Sequence, residues 1–92
     1  MAIRMKLNTI LGEIEIDTYR NYTHVIVTKG EYLSRNYHLF DDSNWSKYEN
    51  IEYRSGEKQA AGLKRTYDSG KTSKGGHFRG VCEIHQLEPE LE

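Results

Sequence analysis

The run Val25-Ile26-Val27, inside Tyr22 to Thr28 (YTHVIVT), constrains this chain more than any other segment. Three consecutive β-branched residues favour a strand. Successive strand side chains point to opposite faces, so an uninterrupted apolar run needs cover on both sides. The run is therefore expected to be the central strand of a sheet. Shorter segments of period two surround it. Ile3, Met5 and Leu7 alternate with Arg4, Lys6 and Asn8, and Ile14 and Ile16 alternate with Glu13, Glu15 and Asp17. With a tight turn on Ile10-Leu11, one antiparallel register sets Leu7 against Ile14 and Met5 against Ile16. The same register sets Lys6 against Glu15 and Arg4 against Asp17, so apolar and charged patterns select one pairing. The apolar turn itself needs cover from another element or a partner.

Beyond the central strand, Lys29-Gly30 reads as a turn and Glu31 to Phe40 as a returning strand. In DDSNWSKYEN, Asp42 or Ser43 is placed to cap a short helical turn with Trp45 and Tyr48 on one face, an ordered loop being the alternative. Asn50 to Arg54 reads as a short strand ended by Ser55-Gly56, and Glu57 to Ala61 as one helical turn. Leu63 to Tyr67 and His77 to Gln86 alternate as two further strands, joined by a hairpin loop from Asp68 to Gly76. In the last strand Phe78, Cys82 and Ile84 face the core, with His77, Arg79, Glu83 and His85 on the other side. The expected fold is mainly β, with α+β as the neighbouring class. It is a small antiparallel sheet of five to six strands in hairpins, with at most one or two short helical turns. One domain spans residues 1–87, followed by an acidic tail, 88–92.

Ninety-two residues supply one core and no second domain to close over a ligand. Apolar residues are 36% and charged ones 29%, yet seven Tyr, two Phe and one Trp provide the large side chains that a disordered chain lacks. Cys82 is the single cysteine and no leader-like or long apolar run occurs, which points to a soluble cytoplasmic protein without a membrane segment, monomeric or homodimeric. Charge is segregated. From Lys58 to Arg79 six cations face Asp68 alone, giving +5, whereas seven cations and thirteen anions elsewhere give −6.

Within that basic segment DSGKTSKGG resembles a phosphate loop but lacks its spacing. Arg65 stands where the first glycine of G-x-x-x-x-G-K-[ST] belongs, and a strand pattern follows instead of a helix. What remains is a mobile, cationic loop. Lys64, Arg65, Lys71, Lys74 and Arg79, near Tyr67, His77 and Phe78, form a candidate surface for RNA or single-stranded DNA, or for an acidic protein. Cys82 and His85 lie three apart on a strand and diverge, so no metal site is expected, nor any cofactor. No nucleophile-elbow, zincin or catalytic-cysteine motif occurs. The face His77, Arg79, Glu83 and His85 holds group types that small ribonucleases use.

The aromatic supply favours binding over catalysis, and Trp45, Tyr48 and Tyr53 are candidate partner contacts. These features together lead to a small non-enzymatic binding protein that modulates a larger protein or ribonucleoprotein complex. In size and composition it is similar to the small inhibitors of phages and mobile elements. Nucleic-acid binding through the basic segment is the second expectation, and a small ribonuclease the third.

Overall fold

In the computed structural model, which describes residues 3–18, 22–38 and 42–87, two antiparallel sheets are arranged about the Val25–Val27 run. Strands β1 (Ile3–Thr9) and β2 (Gly12–Thr18) form a two-stranded hairpin. The second sheet has the order β4-β3-β5, with β3 (His24–Leu33) between β4 (Ser46–Arg54) and β5 (His77–Gln86). A helix, α1 (Glu57–Asp68), connects β4 to β5. The class is mainly β with one helix, as the alternation in the sequence implies.

The central strand is covered on both faces. Ile26 packs toward α1 with Ala60, Leu63, Tyr67, Phe78 and Cys82. On the opposite face Val25 and Val27 meet Ile16 and Leu87, with Leu7, Ile10, Leu11 and Ile14 of the hairpin packed around them. All three residues of the run are fully buried. Each such side chain contributes roughly 1.5–3 kcal/mol relative to exposure, so this run joins helix, sheet and hairpin into one stack.

The hairpin has the register that its two patterns select: Leu7 opposite Ile14, Met5 opposite Ile16, Lys6 opposite Glu15 and Arg4 opposite Asp17. Its apolar turn does find cover. Ile10 and Leu11 pack against the Val25 and Val27 face of the core, and Ile10 N–H donates to Glu83 Oε1 of β5 at 2.9 Å. His85 Nε2 lies 3.0 Å from the same oxygen. These partners, the His85 hydrogen bond first, hold the Glu83 carboxyl below its ordinary value of 4.5, against the opposing effect of burial. A depressed folded-state value stabilises the fold above 4.5, and that contribution is lost as pH falls through the folded value. Glu83→Gln is accordingly expected to flatten the acid limb of a stability-versus-pH curve below pH 4.5, measured by urea unfolding.

Three local expectations are corrected. Lys29-Gly30 is not a turn, because β3 runs straight through it. Gly30 pairs with Gly80 where β3 and β5 approach closely, and a Cβ on Gly30 would sit 2.2 Å from the Arg79 carbonyl oxygen. A glycine in a strand here marks close backbone contact. The chain turns later, at Ser34–Tyr37, where Tyr37 N–H donates to Ser34 O at 3.0 Å. Residues 39–40 of the expected returning strand, and the tail 88–92, lie outside the described residues.

The second correction concerns Leu63 to Tyr67, which is helical and belongs with Glu57 to Asp68 in one twelve-residue helix. Leu63 and Tyr67 are four apart, a spacing that both periods allow. Ala60 decides: with Leu63 and Tyr67 it gives the i, i+3, i+7 stripe of a helix packed on a sheet. Third, Asp42–Asn44 forms a single 3-10 turn, but Trp45 and Tyr48 do not share its face, since β4 begins at Ser46.

Candidate binding cleft

On the α1 side of the sheet, rings gather toward the end of β3. Tyr32 meets Tyr48 of β4 edge to face with centroids 5.5 Å apart, and Tyr48 meets Phe78 of β5 at 5.8 Å. Tyr67 of α1 closes the group, 5.1 Å from Phe78. Past this cluster the Ser34–Tyr37 turn carries Arg35 outward, and the loop between α1 and β5 folds over from the other side. Between them lies a cleft of about 420 Å³, lined by Tyr32, Ser34, Arg35, Tyr48, Glu49, Asn50, Thr72, Lys74 and Gly76.

The loop wall is built rather than slack. Thr72 is buried, and its Oγ1 accepts from Gly76 N–H at 3.1 Å and Lys74 N–H at 3.3 Å. Thr72 N–H donates to Gly76 O at 2.8 Å, and Gly75 N–H to Thr72 O at 3.1 Å. Gly75 has φ +94°, and a Cβ there would stand 3.8 Å from Arg35 Nη1, so the guanidinium lies close against the loop. The amides of Ser69, Gly70 and Lys71 donate to helix carbonyls. With these committed to internal bonds, the loop cannot wrap a phosphate in backbone N–H groups as a phosphate loop does. Any anion here must be held by side chains.

The strand wall and the loop wall are joined through one hydroxyl. Tyr67 O–H donates to Glu52 Oε2 at 2.5 Å, Tyr48 O–H lies 2.7 Å from Tyr67 Oη, and Ser73 Oγ lies 3.2 Å from it. A tyrosine has one proton, so with that proton on Glu52 the Tyr67 oxygen accepts from both Tyr48 and Ser73. Tyr48 Oη in turn accepts from Asn50 Nδ2 at 3.1 Å. Burial, and then the bond to Glu52, push the Tyr67 phenol far above its ordinary range, so it stays protonated.

Of the five candidate cations, the structure brings two to this end of the molecule. Lys74 lines the cleft, and Lys71 is exposed at the start of the same loop. Lys64 is paired with Asp68 at 2.7 Å and Arg65 is exposed on α1. Arg79 lies across the sheet, where it pairs with Glu31 at 2.9 Å and Asp42 at 3.3 Å and stands 4.2 Å over the Trp45 ring. The three candidate partner-binding aromatics are also separated. Trp45 lies under Arg79, Tyr48 packs on the α1 side of the sheet, and Tyr53 packs on the opposite, hairpin side against Tyr22 at 5.4 Å.

Arg35, Tyr32, Asn50 and Tyr37 are the residues that sequence reasoning misses. Placing residues 31–40 in one strand hid the turn that exposes Arg35 and Tyr37. The face His77, Arg79, Glu83 and His85 is largely committed elsewhere, Glu83 to Ile10 of the hairpin turn, His85 to Glu83 and Arg79 to its acids. Cys82 points the other way, into the α1 core, and burial first of all pushes its thiol up to about 11. Among the described residues no group of three His, Cys, Asp or Glu is placed to hold a metal, and no helix is long and apolar enough to cross a membrane. No protein-family model, curated protein or solved structure matches the chain.

Proposed function

We propose that the protein is a binding module for unpaired nucleic acid, RNA or single-stranded DNA, and that the cleft is where it binds. The observation that supports this is the pairing of Arg35 and Lys74 on a cleft walled by Tyr32 and Tyr48. Tyr32 and Tyr37, 39% and 49% exposed, offer ring faces at the same end. Single strands are held by cations that follow the phosphates and by aromatic rings that stack on bases. A cleft of about 420 Å³ leaves room for an unstacked base and its sugar. Because the loop amides are committed internally, recognition of phosphate falls to flexible side chains, which makes it tolerant of sequence.

The test is fluorescence anisotropy with a short mixed-sequence RNA and its DNA equivalent across a salt series. With about three phosphate contacts, from Arg35, Lys71 and Lys74, log affinity is expected to fall against log salt with a slope near −2, at about 0.7 per contact. Lys74→Ala should weaken binding and reduce the slope by about 0.7. Tyr32→Ala should cost roughly 1–3 kcal/mol with the slope unchanged. Absence of binding at low salt would overturn the proposal. So would displacement of the oligonucleotide by polyglutamate at equal charge concentration, which would identify an acidic protein segment as the ligand.

A further inference from the structure

One end of the outer edge of β5 is already paired. Lys71 bridges His77, and Phe78 N–H donates to Gly70 O at 2.8 Å, so the chain's own Gly70–Thr72 segment covers that end. Leu87 N–H donates the other way, to Thr23 O just before β3. Odd-numbered residues of β5 therefore bond β3 and even-numbered ones face outward. Past the covered end, the outward groups of Cys82, Ile84 and Gln86 have no neighbouring strand among the described residues. Helix α1 runs antiparallel to β5 beside this open stretch. At one end Gly56 N–H donates to Thr23 Oγ1 at 2.6 Å, next to the His24–Gln86 pair, and at the other the helix leads into Gly70, opposite Phe78.

Between helix and strand lies a second cleft, of about 480 Å³, lined by His24, Glu57, Ala61, Arg65, Ile84 and Gln86, with the Lys64–Asp68 ion pair also on its wall. It shares no residue with the cleft proposed for nucleic acid. Ala61 and Ile84 make its middle apolar. Lys64 and Asp68 neutralise each other, which leaves Glu57 and Arg65 as the charges that a ligand meets. These two stand eight residues apart on one helix face, about 12 Å along the axis. His24 is only 8% exposed. Its Nδ1 lies 2.7 Å from Thr23 Oγ1, which already accepts from Gly56 N–H and so has its own proton to give. With that proton on Nδ1, the ring hydrogen is on Nε2, a donor without a partner among the described residues.

We infer that this edge and cleft take up an extended segment of another protein, added antiparallel to β5 over Cys82 to Gln86, with a carboxamide, an apolar and an acidic side chain at alternate positions. Strand addition to a free edge supplies main-chain bonds, and pockets for alternate side chains supply specificity. The antiparallel direction continues the line that Gly70–Thr72 begins on the same edge, and it is the more stable pairing per residue. Segment residues opposite Gln86, Ile84 and Cys82 form hydrogen-bonded pairs and turn their side chains toward α1. The one opposite Ile84 lies between Ile84 and Ala61 and is apolar. The one opposite Gln86 meets His24 and Glu57. A carboxamide there accepts from Nε2–H through its oxygen and donates to the Glu57 carboxylate through its nitrogen. The one opposite Cys82 stands four strand residues further on, about 13 Å, which matches the spacing from Glu57 to Arg65. It is acidic, to pair with the guanidinium.

The probe is the capped peptide TQTVTET, added to the protein while amide proton–nitrogen correlations are recorded. Shifts are expected at Cys82 to Gln86 and at Glu57, Ala61 and Arg65. Ser34 to Tyr37 and Thr72 to Gly76 should not move, which separates this site from the nucleic-acid cleft. N-methylation of the valine removes the N–H that pairs with Ile84 O and should abolish binding. N-methylation of the threonine before it, whose N–H faces away from β5, should leave binding largely intact. Arg65→Glu, at an exposed position, should weaken the peptide several-fold, and lysine in place of the peptide's glutamate should recover the loss. No shift at millimolar peptide, shifts centred on Ser34 to Tyr37 and Thr72 to Gly76 instead, equal loss from the two N-methylations, or an Arg65→Glu deficit that the lysine peptide does not recover would each overturn the inference.

Discussion

Gly30→Ala is expected to destabilise the fold by at least about 4 kcal/mol, a large fraction of the roughly 5–15 kcal/mol that holds a domain folded. The added Cβ would stand 2.2 Å from Arg79 O and 2.7 Å from the Gly80 Cα. Both neighbours are backbone in the middle of the β3–β5 ladder, so neither can rotate aside. Relief requires parting the two strands that enclose both cores. Gly62→Ala is the contrasting change. Nothing lies within 4 Å of a Cβ at that helical position, and replacing a helical glycine should raise stability by up to about 1 kcal/mol. Urea unfolding followed by circular dichroism distinguishes the two by opposite shifts of the midpoint. Equal effects would refute the close crossing of β3 and β5.

Tyr67→Phe carries the second large effect. The ring keeps its packing against Phe78, but Glu52 loses its phenolic donor, and Tyr48 and Ser73 lose their shared acceptor. Glu52 is mostly buried, and its remaining partner is Arg54 at 3.5 Å. Leaving such groups unsatisfied costs about 1–3 kcal/mol, and the upper half of that range is expected here because a carboxylate is involved. The pH dependence runs on the alkaline side. Tyr67 is raised above its ordinary 10.0 and Cys82 above its ordinary 9.0, so their contributions hold at neutral pH and are lost as pH rises through the folded values. Wild-type stability should therefore decline above pH 9, and Tyr67→Phe should decline less steeply above pH 10. The substitution also frees Ser73 from the cleft's other wall, so oligonucleotide affinity should fall several-fold even where the protein is fully folded.

How far the sequence is legible follows from which interactions are local. The hairpin register could be read because Leu7, Ile14, Lys6 and Glu15 are partners within a few residues and two independent patterns agree. Val25 to Val27 could be read because three buried β-branched residues leave one structural option. Gly30 misled because its constraint, the Gly80 backbone, lies fifty residues away. The helix was obscured because an i, i+4 pair fits both periods until Ala60 is included. The cleft is harder still, since Arg35 and Lys74 come together only when two loops far apart in sequence meet at the end of the sheet where Leu33 pairs with His77. The charge count placed a basic surface on residues 58–79, but half of those cations are committed or dispersed. Lys64 is neutralised by Asp68, Arg79 by Glu31 and Asp42, and Arg65 sits out on the helix. Tyr48 and Tyr53 were legible as large aromatics, yet their positions in the register, Tyr48 beside Gly30 and Tyr53 beside Val25, place them on opposite faces of β4.

The most direct test of the cleft as the binding site is an amide proton–nitrogen correlation spectrum recorded while a short single-stranded oligonucleotide is added. Shifts are expected at Tyr32, Ser34 to Tyr37, Tyr48 to Asn50 and Thr72 to Gly76, with the amides of α1 before Thr66 and of the β1–β2 hairpin unmoved. Shifts centred on the hairpin or on the exposed face of α1, or none at saturating oligonucleotide, would contradict it.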